Sequence, residues 1–256
     1  MPIWNPNQYL KFKNERTQPS LDLIARVQLE QPRRILDLGC GPGNSTAALR
    51  ARWPEAHVTG LDNSPEMINA AKTDFPGGEW LLGDIASLQP REPYDLYFAN
   101  AALQWLPNHE TLLPRLLGLV RPGGALAVQV PDMGDSPLAK SVVWVAHQPY
   151  WRELTAESER TVNYRSAEYY FPILNSLKAR FELWQTTYYH VLPSQTALLD
   201  WYRGTGLKPF LDRLPDETFR TKFLGEIFQQ IAPYYPGETD GRVVLPFKRV
   251  FFTIYR

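Results

Sequence analysis

The sequence predicts an α/β fold: a doubly wound, mostly parallel seven-stranded sheet with helical cap insertions. Three observations predict it. Short apolar runs alternate with helical patterns through the first half of the chain; the first run passes straight into a glycine-rich loop; and successive runs end on a glycine, an acid or an amide.

Residues 33–38 read as the first strand, which runs into Gly39, Gly41 and Gly43 before a helix over 44–52. A backbone without Cβ atoms turns sharply with positive φ and lets a ligand approach the main chain, and the helix start offers free N–H groups. Residues 57–62 form the second strand, ending at Asp62. An acid at that tip lies beside the glycine loop of a doubly wound sheet and suits the two hydroxyls of a ribose. Ser64 as cap and Pro65 at the first helical position start a helix over 65–74. A short third strand at 79–83 ends on Asp84, a fourth spans 94–99 before Asn100, a helix spans 109–120, and a fifth strand, 125–130, follows the turn Arg121-Pro122-Gly123-Gly124. Carboxyl ends of parallel strands are where such a sheet binds its ligand.

After residue 130 the regular alternation stops. Residues 131–151 and 166–179 look helical, 181–192 read as a long strand, and a last strand at 242–255 follows a helical region beginning near Ser194 that is too long for an ordinary connection. The expectation is one domain over 1–256 in which elaborations at about 131–180 and 194–240 fold over the mouth of the sheet and enclose a substrate. The aromatic stripe through Trp201, Tyr202, Phe210, Phe219, Phe223 and Phe228 reads as packing between cap helices.

The chain has 256 residues, with 27 Lys plus Arg balanced by 27 Asp plus Glu. That zero formal charge gives no broad electrostatic case for nucleic acid. No apolar window is long enough to span a bilayer, and no basic segment leads into an apolar run of signal-peptide type, so a cytoplasmic protein without a membrane partner is expected. The single cysteine, Cys40, reads as a small buried thiol. No HExxH or CxxC appears, so no metal site is expected, and no Ser/His/Asp set is present.

The glycines separate two nucleotide-binding classes. Dinucleotide enzymes use G-x-G-x-x-G, whereas this loop reads G-x-G-x-G and then Asn44. S-adenosylmethionine has no pyrophosphate; its amino-acid end needs hydrogen-bond partners beside the loop, which Asp37, Gly39 and the nearby backbone can supply. With both anchors placed, the chain resembles the class I S-adenosylmethionine-dependent methyltransferases, and most of all those that esterify a carboxylate of trans-aconitate. The resemblance runs nearly end to end. It is carried by Trp4-Asn5-Pro6 with Tyr9 and Glu15-Arg16, by the segments 37–46, 60–65 with Met67-Ile68, 98–107, 126–132 and 186–190, and by Asp200-Trp201 with 205–210. It implies the Rossmann-like methyltransferase fold, S-adenosylmethionine as cofactor with S-adenosylhomocysteine as product, and cofactor contacts at Gly39, Gly41, Gly43, Asp62, Met67, Asp84, Ile85, Asn100 and Trp105. Asp62 would take the ribose and Asp84 the adenine amine.

The implied substrate is a small tricarboxylate, and charge suggests how it is held. Sulfonium and carboxylate neutralise one another in the transition state, so arginines belong on the two non-reacting carboxylates. Arg16, Arg165 and Arg203 are the candidates, with Tyr164, Tyr188, Tyr189 and His190 as further substrate-binding residues. The residues alone leave open a methyltransferase for another carboxylate, such as a carrier-bound acyl group, a dinucleotide-dependent oxidoreductase, which the glycine spacing disfavours, and a non-catalytic adenosylmethionine-binding protein.

Overall fold

The computed structural model describes residues 13–256, with side chains for 17–159 and 161–256. Among the described residues seven strands form one sheet, in the order β3-β2-β1-β4-β5-β7-β6. They are β1 (Arg34–Leu38), β2 (His57–Asp62), β3 (Glu79–Leu82), β4 (Tyr94–Asn100), β5 (Val120–Pro131), β6 (Arg180–Leu192) and β7 (Val243–Tyr255). The pairs from β3 to β5 are parallel, and β7 runs antiparallel to β5.

The chain divides into two compact units. The larger takes its described residues from 13–131, 165–186 and 249–256. It contains α1 (Lys13–Arg26), α2 (Asn44–Arg52), α3 (Pro65–Asp74), α4 (His109–Leu119) and α6 (Ala167–Ser176). Its main apolar cluster joins Leu36, Leu38, Tyr97 and Val128 of the strands to Leu113 and Leu116 of α4, Tyr170 and Leu174 of α6, and Val250 and Phe252 of β7. Helix α3 begins as its sequence dictates: the Ser64 hydroxyl accepts from the Met67 N–H and Pro65 needs no donor there. Helix α1 was not expected. Its buried Ser20, Leu23 and Ile24, with Val27 just past its end, follow helical spacing, but Pro19 interrupts the pattern and hides it.

Strand β5 starts earlier than the 121–124 turn suggested. Tyr94 pairs with Val120 and Leu96 with Ala125, so the turn bulges out of a continuous strand. The Gly123 N–H donates to the Arg256 carbonyl and the Arg256 N–H to the Gly124 carbonyl, which ties the two glycines of the turn to Arg256.

The smaller unit comprises 132–164 and 187–248 among the described residues. It holds α5 (Pro137–Ala146), α7 (Thr196–Arg203), α8 (Lys208–Leu211) and α9 (Glu217–Ile231). Fully buried Trp151 packs edge-on against Phe223, and its indole N–H donates to Glu226 Oε2 at 2.7 Å. Trp201, Phe210 and Phe223 are buried here, as the aromatic stripe predicts. The helical stretch expected over 131–151 shortens to α5, capped by Ser136 and followed by turns.

Candidate active site

The carboxyl ends of β1 to β4 carry the residues singled out by the sequence. After β1 the chain reverses through Gly39, Gly41 and Gly43, at φ of 69°, 54° and 94°. At Gly39 a Cβ would sit 2.5 Å from Ala102 Cβ, so only glycine fits against the turn that follows β4. At Gly41 a Cβ would meet nothing within 4 Å among the described residues. Among those residues the loop is thus packed on one side at Gly39 and open at Gly41, where a ligand can lie on the backbone.

Asp62 closes the loop from the second strand. Its Oδ2 accepts from the Gly41 N–H and its Oδ1 from the Ser64 N–H, both at 2.9 Å. Burial raises its pKa, and the backbone donors at Ser64, Gly41 and Asn63 counter that. Asp37 lies fully buried on β1, with Oδ2 accepting from Ser45 and Thr46 hydroxyls at 2.6 Å each. Its Oδ1 has no hydrogen-bond partner among the described residues. Burial pushes this carboxyl up to about 6 against the two hydroxyl bonds. Cys40 is buried and its thiol is pushed upward by burial, as a structural thiol should be.

Met67 is buried in the first turns of α3. Asp84 caps the short 3₁₀ turn Ile85–Ser87 by accepting from the Ala86 N–H at 2.8 Å and is otherwise exposed. Ile85 is buried beside Gly39. At the end of β4, Asn100 has a buried Oδ1 without a partner among the described residues, and Ala101 just beyond it takes a positive φ of 53°. A non-glycine residue in that conformation carries strain of the kind that clusters at ligand sites. Trp105 ends the next 3₁₀ turn, Leu103–Trp105. His109 braces it, reaching the Leu103 carbonyl and the Tyr170 hydroxyl at 2.8 Å each; burial holds its pKa below the usual value.

Three supports escaped the sequence reading. The Trp80 ring occupies the space where Gly43, Gly60 and Gly78 lack a Cβ, within 2.6 Å of each such position. Gly60 in a strand interior was the available signal of close approach. Arg115 donates to the Ile85 and Leu88 carbonyls and so fixes the turn after β3. The third is Tyr202, named before only as a cap aromatic: its hydroxyl pairs with that of Tyr164 at 2.8 Å, and burial raises Tyr164 to about 12 and lifts Tyr202 as well.

The substrate candidates separate into groups. In the smaller unit, buried His190 lies 4.4 Å from Trp201 and stacks on Tyr188 at 6.3 Å, ring to ring. Tyr189, on the opposite face of β6, is 70% exposed. Arg203 pairs with Glu217 at 3.6 Å. In the larger unit, Arg165 lies over the Tyr169 ring at 4.8 Å. Arg16 belongs to α1 with its side chain outside the described residues, as are Trp4, Asn5, Pro6 and Tyr9 altogether. No helix among the described residues is long and apolar enough to cross a membrane.

Comparison with known proteins agrees with this geometry. A family model described as a methyltransferase domain matches residues 35–124, which span the glycine loop, Asp62, Asp84 and Asn100. A trans-aconitate 2-methyltransferase of Methylobacterium nodulans is 46% identical, over 100% of this chain and 99% of that one. Another of Rhodopseudomonas palustris is 44% identical over 98% of each. The crystal structure of the YcgJ protein from Bacillus subtilis superposes with a TM-score of 0.62 at 12% identity, covering 93% of this chain and 98% of that one, which speaks to the fold alone. With near-complete coverage at such identity, the chain belongs to the trans-aconitate 2-methyltransferase family.

Proposed function

We propose that the protein transfers a methyl group from S-adenosylmethionine to one carboxylate of trans-aconitate, giving a monomethyl ester and S-adenosylhomocysteine. The observation that carries the reading is the link between Gly41 and Asp62: it sets an open glycine backbone beside a carboxylate at the tip of β2. The full-length likeness to trans-aconitate 2-methyltransferases supports the choice of substrate.

The residues fit the cofactor. Asp37 Oδ1 and Asn100 Oδ1 are buried acceptors without partners among the described residues, suited to an ammonium group. Asp62 accepts ribose hydroxyls, Met67 and Ile85 offer apolar contact for the adenine, and Asp84 accepts from its amine. Gly39, Gly43 and Trp105 complete the same set. When bound, the cofactor supplies an electrophilic methyl on a sulfonium.

No general base is needed, since a carboxylate is already ionised near neutral pH; the protein's part is alignment and exclusion of water. Arg16, Arg165 and Arg203 hold the non-reacting carboxylates. Tyr164 and Tyr188 offer hydroxyl donors, with Tyr164 kept protonated by its burial. Tyr189 and His190 complete the proposed substrate set. The reading includes a small-molecule partner, no nucleic acid or membrane partner, and a cytoplasmic location. Labelled adenosylmethionine offered with di- and tricarboxylates and with carrier-bound acyl groups tests it: label in a base-labile ester of trans-aconitate supports the reading, and label confined to a carrier-bound acyl group rejects it.

A further inference from the structure

The 126–132 segment contributes an amide to the carboxyl edge of the sheet that the proposed reaction has not yet used. Gln129 is 0% exposed, and the strand registers place it between Asn100 of β4 and Phe251 of β7. Directly opposed residues on neighbouring strands project to the same face, so the Asn100 and Gln129 side chains share one. Arg249 stands on that face too, opposite Pro131 and two residues from Phe251, and is 5% exposed.

Arg249 Nη1 donates to Gln129 Oε1 at 3.3 Å. That bond settles the amide's orientation: with its oxygen held by a guanidinium, the NH₂ group faces away from it. Gln129 Nε2 carries two N–H bonds and has no hydrogen-bond partner among the described residues. Neither has Asn100 Oδ1 on the adjacent strand. Buried polar atoms left without partners are few in folded proteins and costly. A donor and an acceptor of this kind, side by side at the carboxyl ends of neighbouring strands, mark the place of a polar ligand.

We infer that Gln129 binds the acid substrate, its Nε2 donating to the carboxylate that receives the methyl group, and that Arg249 is the positioning residue that holds the amide. The inference rests on the methyl-transfer reading above and assigns it a specific donor. A neutral amide suits the task. It orients a carboxylate oxygen without the direct cation contact that would favour the ionised reactant over a transition state in which charge is cancelling. The guanidinium, one hydrogen bond removed, polarises the amide and fixes its direction.

Gln129→Glu tests this with little change of shape: it preserves an acceptor for Arg249 and replaces the donor by a negative charge. Adenosylmethionine affinity should stay within about twofold while kcat/KM for trans-aconitate falls roughly 10- to 100-fold. Arg249→Met should raise KM for the acid and leave cofactor affinity unchanged, and Arg249→Lys should recover part of that loss. Gln129→Met, of similar length and uncharged, replaces the glutamate variant if melting curves show that the latter is unfolded, with the same expected loss. Wild-type kinetics in a folded Gln129 variant would overturn the inference. So would an equal fall in cofactor affinity, which would place the amide on the cofactor instead. A wild-type enzyme that methylates no acid removes the functional reading and this inference together; one that methylates trans-aconitate as well as its Gln129 variants do removes the inference alone.

Discussion

The Gly41 N–H donates to Asp62 Oδ2 at 2.9 Å, so the acid that ends the second strand also holds the glycine loop that follows the first. Its two oxygens anchor the loop and the start of α3. Under the proposed function the same carboxylate would also accept from the ribose diol, so loop shape and ribose binding could not be varied separately at this position.

Asp62→Ala should therefore weaken adenosylmethionine binding and lower the melting temperature together. Each lost bond to the charged acceptor is worth about 1.5–3 kcal/mol, so affinity should fall at least about tenfold. Asp62→Asn, which retains an acceptor oxygen, should lie between. Calorimetric titration with parallel melting curves would check this; unchanged affinity in the folded alanine variant would take Asp62 out of the site.

The strand-loop-helix half of this site is legible in the sequence because local chemistry dictates it. Glycines with positive φ, an acid at a strand tip and a serine cap each leave a signature within a few residues. The supports are not legible in the same way. Trp80 beneath Gly43 and Gly60, Arg115 on the Ile85 carbonyl and the Arg249–Gln129 bond all join residues far apart in sequence, through tertiary packing that no local pattern encodes. Helix α1 was hidden for a local reason, Pro19 within its apolar spacing.

Cofactor affinity should rise with pH across Asp37's titration. Burial lifts this carboxyl from 3.8 to about 6, so the native state binds the extra proton between those values. Its contribution to fold stability is fully present below about pH 4 and is lost as pH rises through about 6. An ammonium at Oδ1 favours the ionised form, so binding should tighten between about pH 5 and pH 7 and release protons near pH 6. Titrations in buffers of different ionisation enthalpy would count those protons. Asp37→Asn should abolish both effects; an unaltered pH dependence in that variant would show that another group governs it.

Gly39→Ala and Gly41→Ala should fail differently. At Gly39 the new methyl meets Ala102 at 2.5 Å on top of an unfavourable φ, so stability should fall by about 1–3 kcal/mol or more. At Gly41 the φ penalty remains but the methyl enters open space, so the fold should lose about 1 kcal/mol while cofactor affinity suffers more. Denaturant midpoints set beside cofactor titrations of the two variants would separate these effects, and matching profiles would argue against an open ligand face at Gly41.

Arg203→Met should raise KM for trans-aconitate and affect a dicarboxylate lacking the matching group much less, with cofactor affinity nearly constant. Lysine should restore only part of the loss, since it keeps the charge without the planar paired contact. The Glu217 partner is removable, so Glu217→Gln should lower KM slightly by releasing the guanidinium. Steady-state kinetics on both acids decides the matter: equal effects on the two would assign Arg203 to the protein surface.

Carboxyl methylation of trans-aconitate is open to direct test by mass spectrometry of one reaction. The purified protein, incubated with S-adenosylmethionine carrying a labelled methyl and with trans-aconitate, should give a base-labile monomethyl ester that holds the label, with S-adenosylhomocysteine formed in equal amount. Asp62→Ala should reduce both products in parallel. S-adenosylhomocysteine without labelled ester, or no turnover by a wild-type protein that binds the cofactor, would exclude methyl transfer to trans-aconitate.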